Sequence, residues 1–562
     1  MNAYTVLSPW AEAESGELTG LAPRLDTLAG KTIGMFSNFK GHSPVILEII
    51  ADEIQRIHKE VSFVYFQYPK DTSEILNDDE FLPSFERWLD GCDGVIAGYG
   101  DAGSCALYHS INTCAVERNG KPAVLLVKDN LVVNAERGAG MRMVPKLRIV
   151  PCPLTDLSLA PDLGPDTIEH MVKPAVIPLV KSLIDGLLAP LSEEECNPEQ
   201  PKSAEYANRS FTGTFREINK MFYKLGFSNG IPIAPPTREA VDEMLAGTDL
   251  CPDDIVCVLP PMNGRATVEK LAINAVMAGC LPIHFPIVIA ATKGLASPEI
   301  SLAGWACSVA GFAPMIIVNG PVRNDIALGC TDNILSSYYI ANSSLARAVA
   351  LIILNIAGIR PTLEDRAYAG HEARFGVCFG ENEEDSPWPP YHVEKGFSSD
   401  ESTVTLVWFQ NRQMIKGSMD TAANLKILCD TEDIGFKPGA TFVISHTFAK
   451  TLSNAGFSKS DVLDYIVEYA RKPAKDVPIR WLRDNNHMPG SVPLPMGDEY
   501  SVRRYWDKNH LQIIVASSGA APRGVAMLGG GDHGGPATIK IELPKNWREL
   551  LKIYGDYNPE YI

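Results

Sequence analysis

The chain has 562 residues, a length that predicts roughly three to four domains, or fewer if one is large. Hydrophobic residues make up 45% and charged residues 21%, which is typical of globular proteins and excludes a mostly disordered chain. The net charge of -18 disfavours a nucleic acid or an anionic membrane as partner, because both require a cationic face.

The apolar segments and the cysteines predict a cytoplasmic protein that does not cross a membrane. The longest apolar stretch, 345–359, contains Arg347 and Asn355 and therefore predicts a buried helix. The first residues show no basic segment followed by an apolar one, so we expect no secretory signal. The 12 cysteines are scattered without C-x-x-C spacing, which argues against a disulfide scaffold, a zinc ribbon and a thioredoxin motif.

Residues 28–155 alternate short apolar strands with amphipathic helices, which predicts an α/β domain with a doubly wound parallel sheet, flavodoxin- or Rossmann-like. The predicted strands are 31–36, 61–68, 94–98 and 123–127. The predicted helices are 43–59, 81–89 and 104–118.

Two further segments follow. Residues 156–212 are rich in Pro, Asp and Glu and predict a linker around one helix at 168–188. Residues 213–562 predict a larger, mixed α+β domain or domains, and the pattern does not specify their topology. Its helical patterns are 238–245, 267–278, 285–292, 341–357 and 459–470, and its strand-like runs are 403–409, 440–444, 512–516 and 538–542.

Polar residues follow the predicted strands of the first domain, where open parallel sheets bind ligands. Asn38 and Lys40 follow the first strand, Asp101, Gly103 and Ser104 the third, and Asn130 the fourth. That list predicts the substrate-binding residues of this domain. Three glycines allow a tight turn after the third strand, and Ser104 is expected to cap the next helix.

Cys105 then falls in the first turn of that helix, where unpaired N–H groups and the helix dipole favour a thiolate. His109 lies four residues further on, on the same helix face, where it could act as a base. Alternatively, Cys105 packs in the core or lines a site whose helix N-terminus binds a carboxylate or phosphate, and His109 is structural.

The segments DGVIAGYGDAGSC (93–105) and IGMFSNFKGHSP (33–44) resemble the UGSC family, which is named for a selenocysteine- or cysteine-Gly-Ser-Cys motif at this turn. The resemblance covers about residues 28–155. Ala102 replaces the first redox residue, whereas Gly103, Ser104 and Cys105 are retained. The resemblance therefore implies that Cys105 acts alone, pairs with a thiol elsewhere or serves in binding. Stretches of the second region, such as NGIPIAPPT, resemble a domain fused to some actinobacterial members, which implies no particular activity.

Three features of the second region could contribute chemistry. Arg265, in a turn before a helix, suits carboxylate recognition, although a plain capped helix explains it as well. His371, Glu381, Glu383 and His392 could bind a divalent metal or supply acid–base groups, although their spacing matches no zinc motif and a solvated acidic loop is the alternative. His533 lies in the glycine-rich stretch 528–536, which predicts either an anion-binding loop or a flexible connector.

These residues support three hypotheses. The first is an enzyme, a lyase, transferase or oxidoreductase, that acts on a small anionic substrate in a cleft between the two regions. Cys105 would be its activated thiol, assisted by His109, His371 or His533, with no cofactor. The second is a metal-dependent hydrolase or lyase centred on His371, Glu381, Glu383 and His392. The third is a non-catalytic ligand-binding scaffold. A homodimer is expected only because such assemblies are common.

Overall fold

The computed structural model describes residues 3–70, 72–154, 163–199, 205–336, 338–431, 439–473, 494–496, 499–505, 507–517, 519, 521–530 and 535–556. In these ranges, no helix combines the length and the hydropathy that crossing a bilayer requires.

The N-terminal domain is built on a five-stranded parallel sheet of order β3-β2-β4-β5-β6. Its strands are β2 (Thr32–Ser37), β3 (Ser62–Gln67), β4 (Gly94–Gly100), β5 (Ala123–Lys128) and β6 (Arg148–Cys152). Its crossover helices are α1 (His42–Ile57), α2 (Leu82–Asp90), α3 (Gly103–Arg118) and α4 (Val132–Met141). Every residue of β4 is buried, as expected for a central strand covered on both faces. The predicted doubly wound α/β domain is confirmed.

The helical run after this sheet packs on it. Its pieces are α5 (Pro165–Thr167), a π-helical turn (Ile168–Val172), α6 (Lys173–Val176), a 3₁₀ turn (Ile177–Leu179) and α7 (Val180–Leu188). Val176, Leu183 and Leu187 are buried in the same core as Ile33 and Ile96 of the sheet. Part of the segment predicted as a linker therefore contributes to the N-terminal core, because its apolar residues recur at helical spacing.

The beginning of the chain packs in the second region. Strand β1 (Ala3–Leu7) pairs antiparallel with β7 (Ser210–Thr214), which lies more than 200 residues later. The buried Lys270 ammonium donates to the carbonyls of Ser8 and Ala207 at 2.8 and 2.6 Å. The two ends of the N-terminal domain are therefore both anchored beside the second region.

The second region combines mixed sheets with buried helices, so its predicted α+β character is confirmed. One sheet has the order β11-β10-β12-β20, another β13-β19-β14-β18, a third β15-β17-β16, and β8 pairs with β9. The strands are β8 (Ile255–Leu259), β9 (Gly264–Thr267), β10 (Ala313–Asn319), β11 (Val377–Gly380), β12 (Thr403–Phe409), β13 (Asn411–Lys416), β14 (Ala440–Ile444), β15 (Arg471–Pro473), β16 (Leu494–Met496), β17 (Glu499–Arg503), β18 (Leu511–Val515), β19 (Arg523–Leu528) and β20 (Ala537–Lys540).

The helices of this part are α8 (Glu193–Cys196), α9 (Phe215–Lys224), α10 (Arg238–Leu245), α11 (Val268–Ala278), α12 (Phe285–Leu295), α13 (Leu302–Ala306), α14 (Val322–Asp325), α15 (Ile340–Asn355), α16 (Tyr391–Glu394), α17 (Thr421–Cys429), α18 (His446–Asn454), α19 (Lys459–Tyr469) and α20 (Trp547–Tyr554). Helices α11, α12 and α15 are buried over most of their length and share one core. Residues 345–355 of the apolar stretch lie in α15, so the predicted buried helix is observed, and it ends four residues before the stretch does.

Two glycines of α4 provide a matched test of the packing between α3 and α4. A Cβ on Gly138 would lie 2.3 Å from the carbonyl oxygen of Leu107, whereas one on Gly140 would meet nothing within 4 Å. We expect Gly138→Ala to lower the free energy of unfolding by about 1–3 kcal/mol, because backbone atoms must move apart. Gly140→Ala should raise it by up to about 1 kcal/mol through helix propensity. Urea unfolding of both variants checks the pair, and equal effects would contradict the close crossing.

Candidate functional site

The sheet of the N-terminal domain reverses its winding direction between β2 and β4. From β2 the chain proceeds to β3 on one side, and from β4 it proceeds to β5 and β6 on the other. Ligands of open α/β sheets bind at this switch point, outside the carboxyl ends of the strands. Helices α1 and α3 both begin at this edge, so the loops that precede them form the candidate site.

Asn38 joins the two loops. Its side-chain oxygen accepts hydrogen bonds from the Lys40 backbone N–H at 3.1 Å and the Ser43 hydroxyl at 2.7 Å, and its amide nitrogen donates to the Tyr99 carbonyl at 3.0 Å. The side chain is 7% exposed. These bonds fix the end of β2 against the end of β4 and hold the candidate site in one geometry.

Asp101 is the buried anion of this edge. Its Oδ1 lies 2.5 Å from Lys40 Nζ, and its Oδ2 lies 2.9 Å from Nε2 of His42. Burial alone would raise the pKa of Asp101, but Lys40 and His42 outweigh it and lower the pKa to about 2. Asp101 is therefore a carboxylate at every physiological pH. His42 was not among the site residues predicted from the sequence.

Helix α3 begins at Gly103, so Cys105 lies in its first turn, as predicted. The prediction that Ser104 caps this helix is wrong. Ala102, whose backbone is extended, occupies the N-cap position, and Ser104 falls inside the first turn. The N-cap residue Ala102 provides no side-chain hydrogen bond to the helix, and the first turn contains no acidic residue. The positive end of the helix dipole is thus not offset by a carboxylate in that turn.

Cys105 and His109 line one small cavity of about 10 Å³, about the space that a single water molecule requires. Cys105 is 6% and His109 3% exposed. The remaining lining residues are Asn38, Phe39, Tyr68, Lys70, Thr72, Ser73, Tyr108 and Asn112. The structure therefore brings Asn38 together with Cys105 and His109, which the sequence had already predicted to share one face of a helix.

His109 is held as a neutral imidazole. Burial lowers its pKa to about 4, and the carbonyls of Gly98 and Phe36 offset only part of this effect. Its ring packs against the Phe36 ring with centroids 5.1 Å apart, and its Nε2 has no hydrogen-bond partner among the described residues. A buried polar atom of this kind is available to a bound molecule.

This lowered pKa makes stability depend on pH in a predictable direction. Unfolded histidine binds a proton below about pH 6.5, whereas folded His109 does so only near pH 4, so its contribution is present at pH 7 and lost as the pH falls. Between pH 7 and pH 5 this loss should be about 2 kcal/mol. Denaturant unfolding of the wild type and of His109→Gln at both pH values measures it, since the variant should lose correspondingly less. Equal losses would contradict a buried neutral His109.

The second region covers this edge of the N-terminal domain. A Cβ on Gly103 would lie 2.0 Å from the carbonyl oxygen of Cys307, and the Tyr108 hydroxyl lies 3.4 Å from that of Ser301. Ser301 and Thr72 are non-glycine residues with φ of 42° and 43°, and both lie against Gly304. Such backbone strain tends to cluster at functional sites. Sequence reasoning missed these contacts, because nothing local marks a residue distant in the chain as a neighbour.

Among the predicted substrate-binding residues, Asn38 lines the cavity, and Lys40, Asp101, Gly103 and Ser104 lie on the loops beside it or at the start of α3. Asn130 and Arg265 belong to neither of these loops. Asn130 is exposed in the single turn Asp129–Leu131 that follows β5. Arg265 lies in β9, where its backbone N–H donates to the Glu12 carbonyl at 2.8 Å and its guanidinium lies 3.6 Å from the Glu12 carboxylate. Its contacts connect the N-terminal segment to the second region.

His371 has both ring nitrogens occupied by backbone groups. Its Nδ1 accepts from the Ala373 N–H at 3.0 Å, and its Nε2 lies 3.0 Å from the Gln410 carbonyl. Burial lowers its pKa. These contacts give His371 a role in fixing the turn before β11.

Glu381, Glu383 and His392 do lie together, without His371. The Asn319 amide donates to Glu381 at 2.6 Å and to Glu383 at 2.9 Å, while Lys459 lies 3.2 Å from Glu381. Nδ1 of His392 lies 3.8 Å from Glu383. Within the described ranges, no group of three or more His, Cys, Asp or Glu side chains is arranged to hold a metal ion. The carboxylates therefore belong to a buried network with cations and amides.

The predicted glycine-rich loop is described only at its two ends. His533 lies outside the described residues. The flanking Gly530, Gly535 and Pro536 line a second cavity of about 10 Å³, together with Trp305 and Trp408. The role expected for His533 thus stays a prediction.

Comparison with known families gives a match to the N-terminal domain. The sequence profile of the UGSC family matches residues 5–173, which contain the whole five-stranded sheet and both loops of the switch point. No curated protein matches the chain. The predicted resemblance of the N-terminal domain is confirmed, and the residues after 173 lie beyond the match.

Proposed function

Because the N-terminal domain matches the UGSC family, we propose that this protein is an enzyme whose reactive group is the Cys105 thiol and whose substrate is a small anionic molecule bound at the switch point. One observation carries the proposal: Cys105 shares a cavity with His109, a 3% exposed side chain whose Nε2 has no partner among the described residues. A helix N-terminus favours a thiolate, and the neutral imidazole can accept a hydrogen bond from a bound molecule.

The electrostatics of the edge support an anionic substrate. Helices α1 and α3 have 16 residues each, neither has a side-chain hydrogen bond at its N-cap, and neither has an acidic residue in its first turn. Aligned peptide dipoles favour anions at such ends. Lys70 lines the cavity with its ammonium 2.9 Å from Asp78 and 3.2 Å from Glu80, and Lys40 pairs with Asp101 on the adjoining loops. Asn38, Gly103 and Ser104 would then shape the substrate site beside the Lys40–Asp101 ion pair.

Addition–elimination is the chemistry we favour for this thiol. The Cys105 sulfur would form a bond to an electrophilic carbon of the substrate, and the π electron pair of that carbon would move to its oxygen. Elimination then breaks the carbon–sulfur bond or expels another group. A redox cycle would need an external thiol, because Ala102 leaves no second thiol inside the motif.

Alkylation with two reagents of different charge tests this proposal on the full chain. Iodoacetate is a small anion and iodoacetamide its neutral analogue, and both form the same carbon–sulfur bond with loss of iodide. We expect the ratio of their rates to be at least 10-fold higher at Cys105 than at Cys196 and Cys251. Those two exposed cysteines serve as controls, because the net charge of -18 repels iodoacetate from an ordinary surface thiol.

The labelling experiment distinguishes the proposed enzyme from a non-catalytic scaffold. Labelling of Cys105 only after unfolding, or a ratio no higher than at the control cysteines, would contradict an activated thiol in an anion site. Cys105→Ser should remove the selective labelling while leaving the unfolding transition intact. The homodimer remains a separate expectation, and light scattering of the purified protein would test it.

A further inference from the structure

Two side chains that line the Cys105 cavity have buried polar atoms without a hydrogen-bond partner among the described residues. These atoms are Nε2 of His109 and the hydroxyl oxygen of Thr72. Such atoms are rare in folded proteins, and each calls for an explanation such as a bound water molecule or ion. Two of them in the cavity that Cys105 also lines indicate a small molecule that both can bind.

Other polar side chains of the cavity wall are already bound to protein groups. Asn112 accepts a hydrogen bond from the Ile75 N–H at 2.9 Å and donates one to the Ser73 carbonyl at 3.1 Å. The Tyr68 hydroxyl donates to Asp78 at 2.8 Å. The side chains of Asn38, Lys70 and Tyr108 likewise have partners in the protein. A molecule in this cavity therefore finds its hydrogen bonds at His109 and Thr72.

The size of the cavity favours water as that molecule. A volume of about 10 Å³ is close to what one water molecule requires, and a buried water molecule makes about two to four hydrogen bonds. Burial keeps His109 neutral, so each ring nitrogen either donates or accepts. The Thr72 hydroxyl can do both. Water, which also donates and accepts, fits this pair in either tautomer of the imidazole.

The second region packs directly against Thr72. A Cβ on Gly304 would lie 3.0 Å from Cγ2 and 3.1 Å from Cβ of Thr72. The φ of Thr72 is 43°, a left-handed conformation that is unusual for a β-branched residue and is retained only where surrounding contacts impose it. The second region thus helps to place a polar group of the cavity wall.

We propose that His109 and Thr72 hold a water molecule beside Cys105 and that this water hydrolyses an acyl group carried by the cysteine. The inference rests on the proposed function and narrows the substrate to a small anionic acyl compound. The Cys105 sulfur bonds to the acyl carbon, the bond from that carbon to its leaving group breaks, and the thiol proton goes to the leaving group. The water oxygen then bonds to the same carbon, the carbon–sulfur bond breaks, and one water proton goes to the sulfur. The carboxylic acid that forms loses its proton to solvent.

Acetyl phosphate, a small acyl anion, tests the inference on the full chain. Mass spectrometry follows the acetyl group on Cys105, and a phosphate assay measures turnover above the background of Cys105→Ser. The wild type should release several equivalents of phosphate, because water clears the thioester. Thr72→Val keeps the branched shape and removes the hydroxyl, so it should lose the acetyl group at least about 10-fold more slowly and accumulate acetylated Cys105. Thr72→Ser keeps the hydroxyl and should clear it at nearly the wild-type rate.

Alkylation by iodoacetamide distinguishes the two ways in which the experiment could fail. It needs no water, so Cys105 of Thr72→Val should be alkylated as fast as in the wild type. The inference is overturned if Thr72→Val clears the acetyl group at the wild-type rate, or if Thr72→Ser is as slow as Thr72→Val. It is also overturned if Cys105 is alkylated but is never acetylated, or if its acetyl group persists in the wild type. If Cys105 is inert to iodoacetamide as well, the proposed function has failed instead.

Discussion

Replacing Gly103 with alanine is expected to separate the second region from the turn that carries Cys105. A Cβ at this position would lie 2.0 Å from the Cys307 carbonyl oxygen and 3.2 Å from the Arg366 Cβ. The nearest obstacle is a backbone atom, which cannot rotate away as a flexible side chain can. We therefore expect a loss of about 2–3 kcal/mol in the free energy of unfolding and faster alkylation of Cys105 at neutral pH.

A glycine at the same edge of the sheet provides the control. Gly41 is the N-cap residue of α1, its φ is -61°, and a Cβ there would meet nothing within 4 Å. Gly41→Ala should change stability by less than about 1 kcal/mol and leave Cys105 labelling as it is. Urea unfolding and timed alkylation measure both variants. If Gly103→Ala were as stable and as slowly labelled as the wild type, the second region would not close this site.

Local patterns predicted the N-terminal domain closely. The predicted strand 94–98 is observed as β4 (Gly94–Gly100), and the predicted helix 104–118 as α3 (Gly103–Arg118). The helix at 238–245 and the strands at 403–409 and 440–444 have the predicted bounds. Apolar periodicity suffices here, because each element buries a face that its own sequence defines. The same pattern does not mark which strands become neighbours, so the topology of the second region was not predicted.

Only some residues of the candidate site could be predicted from local sequence. Asn38 and Cys105 were found because parallel strands present their carboxyl ends at one edge. His42 was missed although it follows the same strand, because only its contact with Asp101, 59 positions away in sequence, distinguishes it from a surface histidine. His371 was grouped with Glu381 by proximity in sequence, yet backbone contacts direct its ring elsewhere. Functional groups that meet through tertiary contacts leave no local signal.

The second region is also held to the N-terminal domain by a buried carboxylate. The Glu364 side chain is fully buried, and one of its oxygens lies 2.7 Å from Arg137 of α4 and 2.8 Å from Arg360. Its backbone carbonyl accepts a hydrogen bond from the buried Asn134 amide at 2.9 Å. Burial raises the pKa of Glu364, but the two guanidinium groups outweigh it and lower the pKa below its usual value. Glu364 is thus ionised at neutral pH, and its charge pairs with one arginine of each region.

Glu364→Gln keeps the shape of the side chain and removes that charge. We expect a loss of about 3 kcal/mol at pH 7, because both arginines lose a buried counter-ion but remain about one third exposed to water. The depressed pKa fixes the direction with pH: the contribution of Glu364 is present above about pH 4.5 and lost as the pH falls. The difference between wild type and variant should therefore shrink in acid.

Glu372→Gln is the matched control, since Glu372 is 71% exposed and lies 3.8 Å from Arg412. An exposed pair of this kind contributes less than about 1 kcal/mol, so this variant should unfold like the wild type. Urea unfolding at pH 7 and pH 4 measures both variants, and timed alkylation of Cys105 reports whether the site opens. If Glu364→Gln lowers the free energy of unfolding but Cys105 is still labelled slowly, the charge of Glu364 affects stability and not access to the thiol. Faster labelling would show that this ion pair helps the second region to cover the thiol.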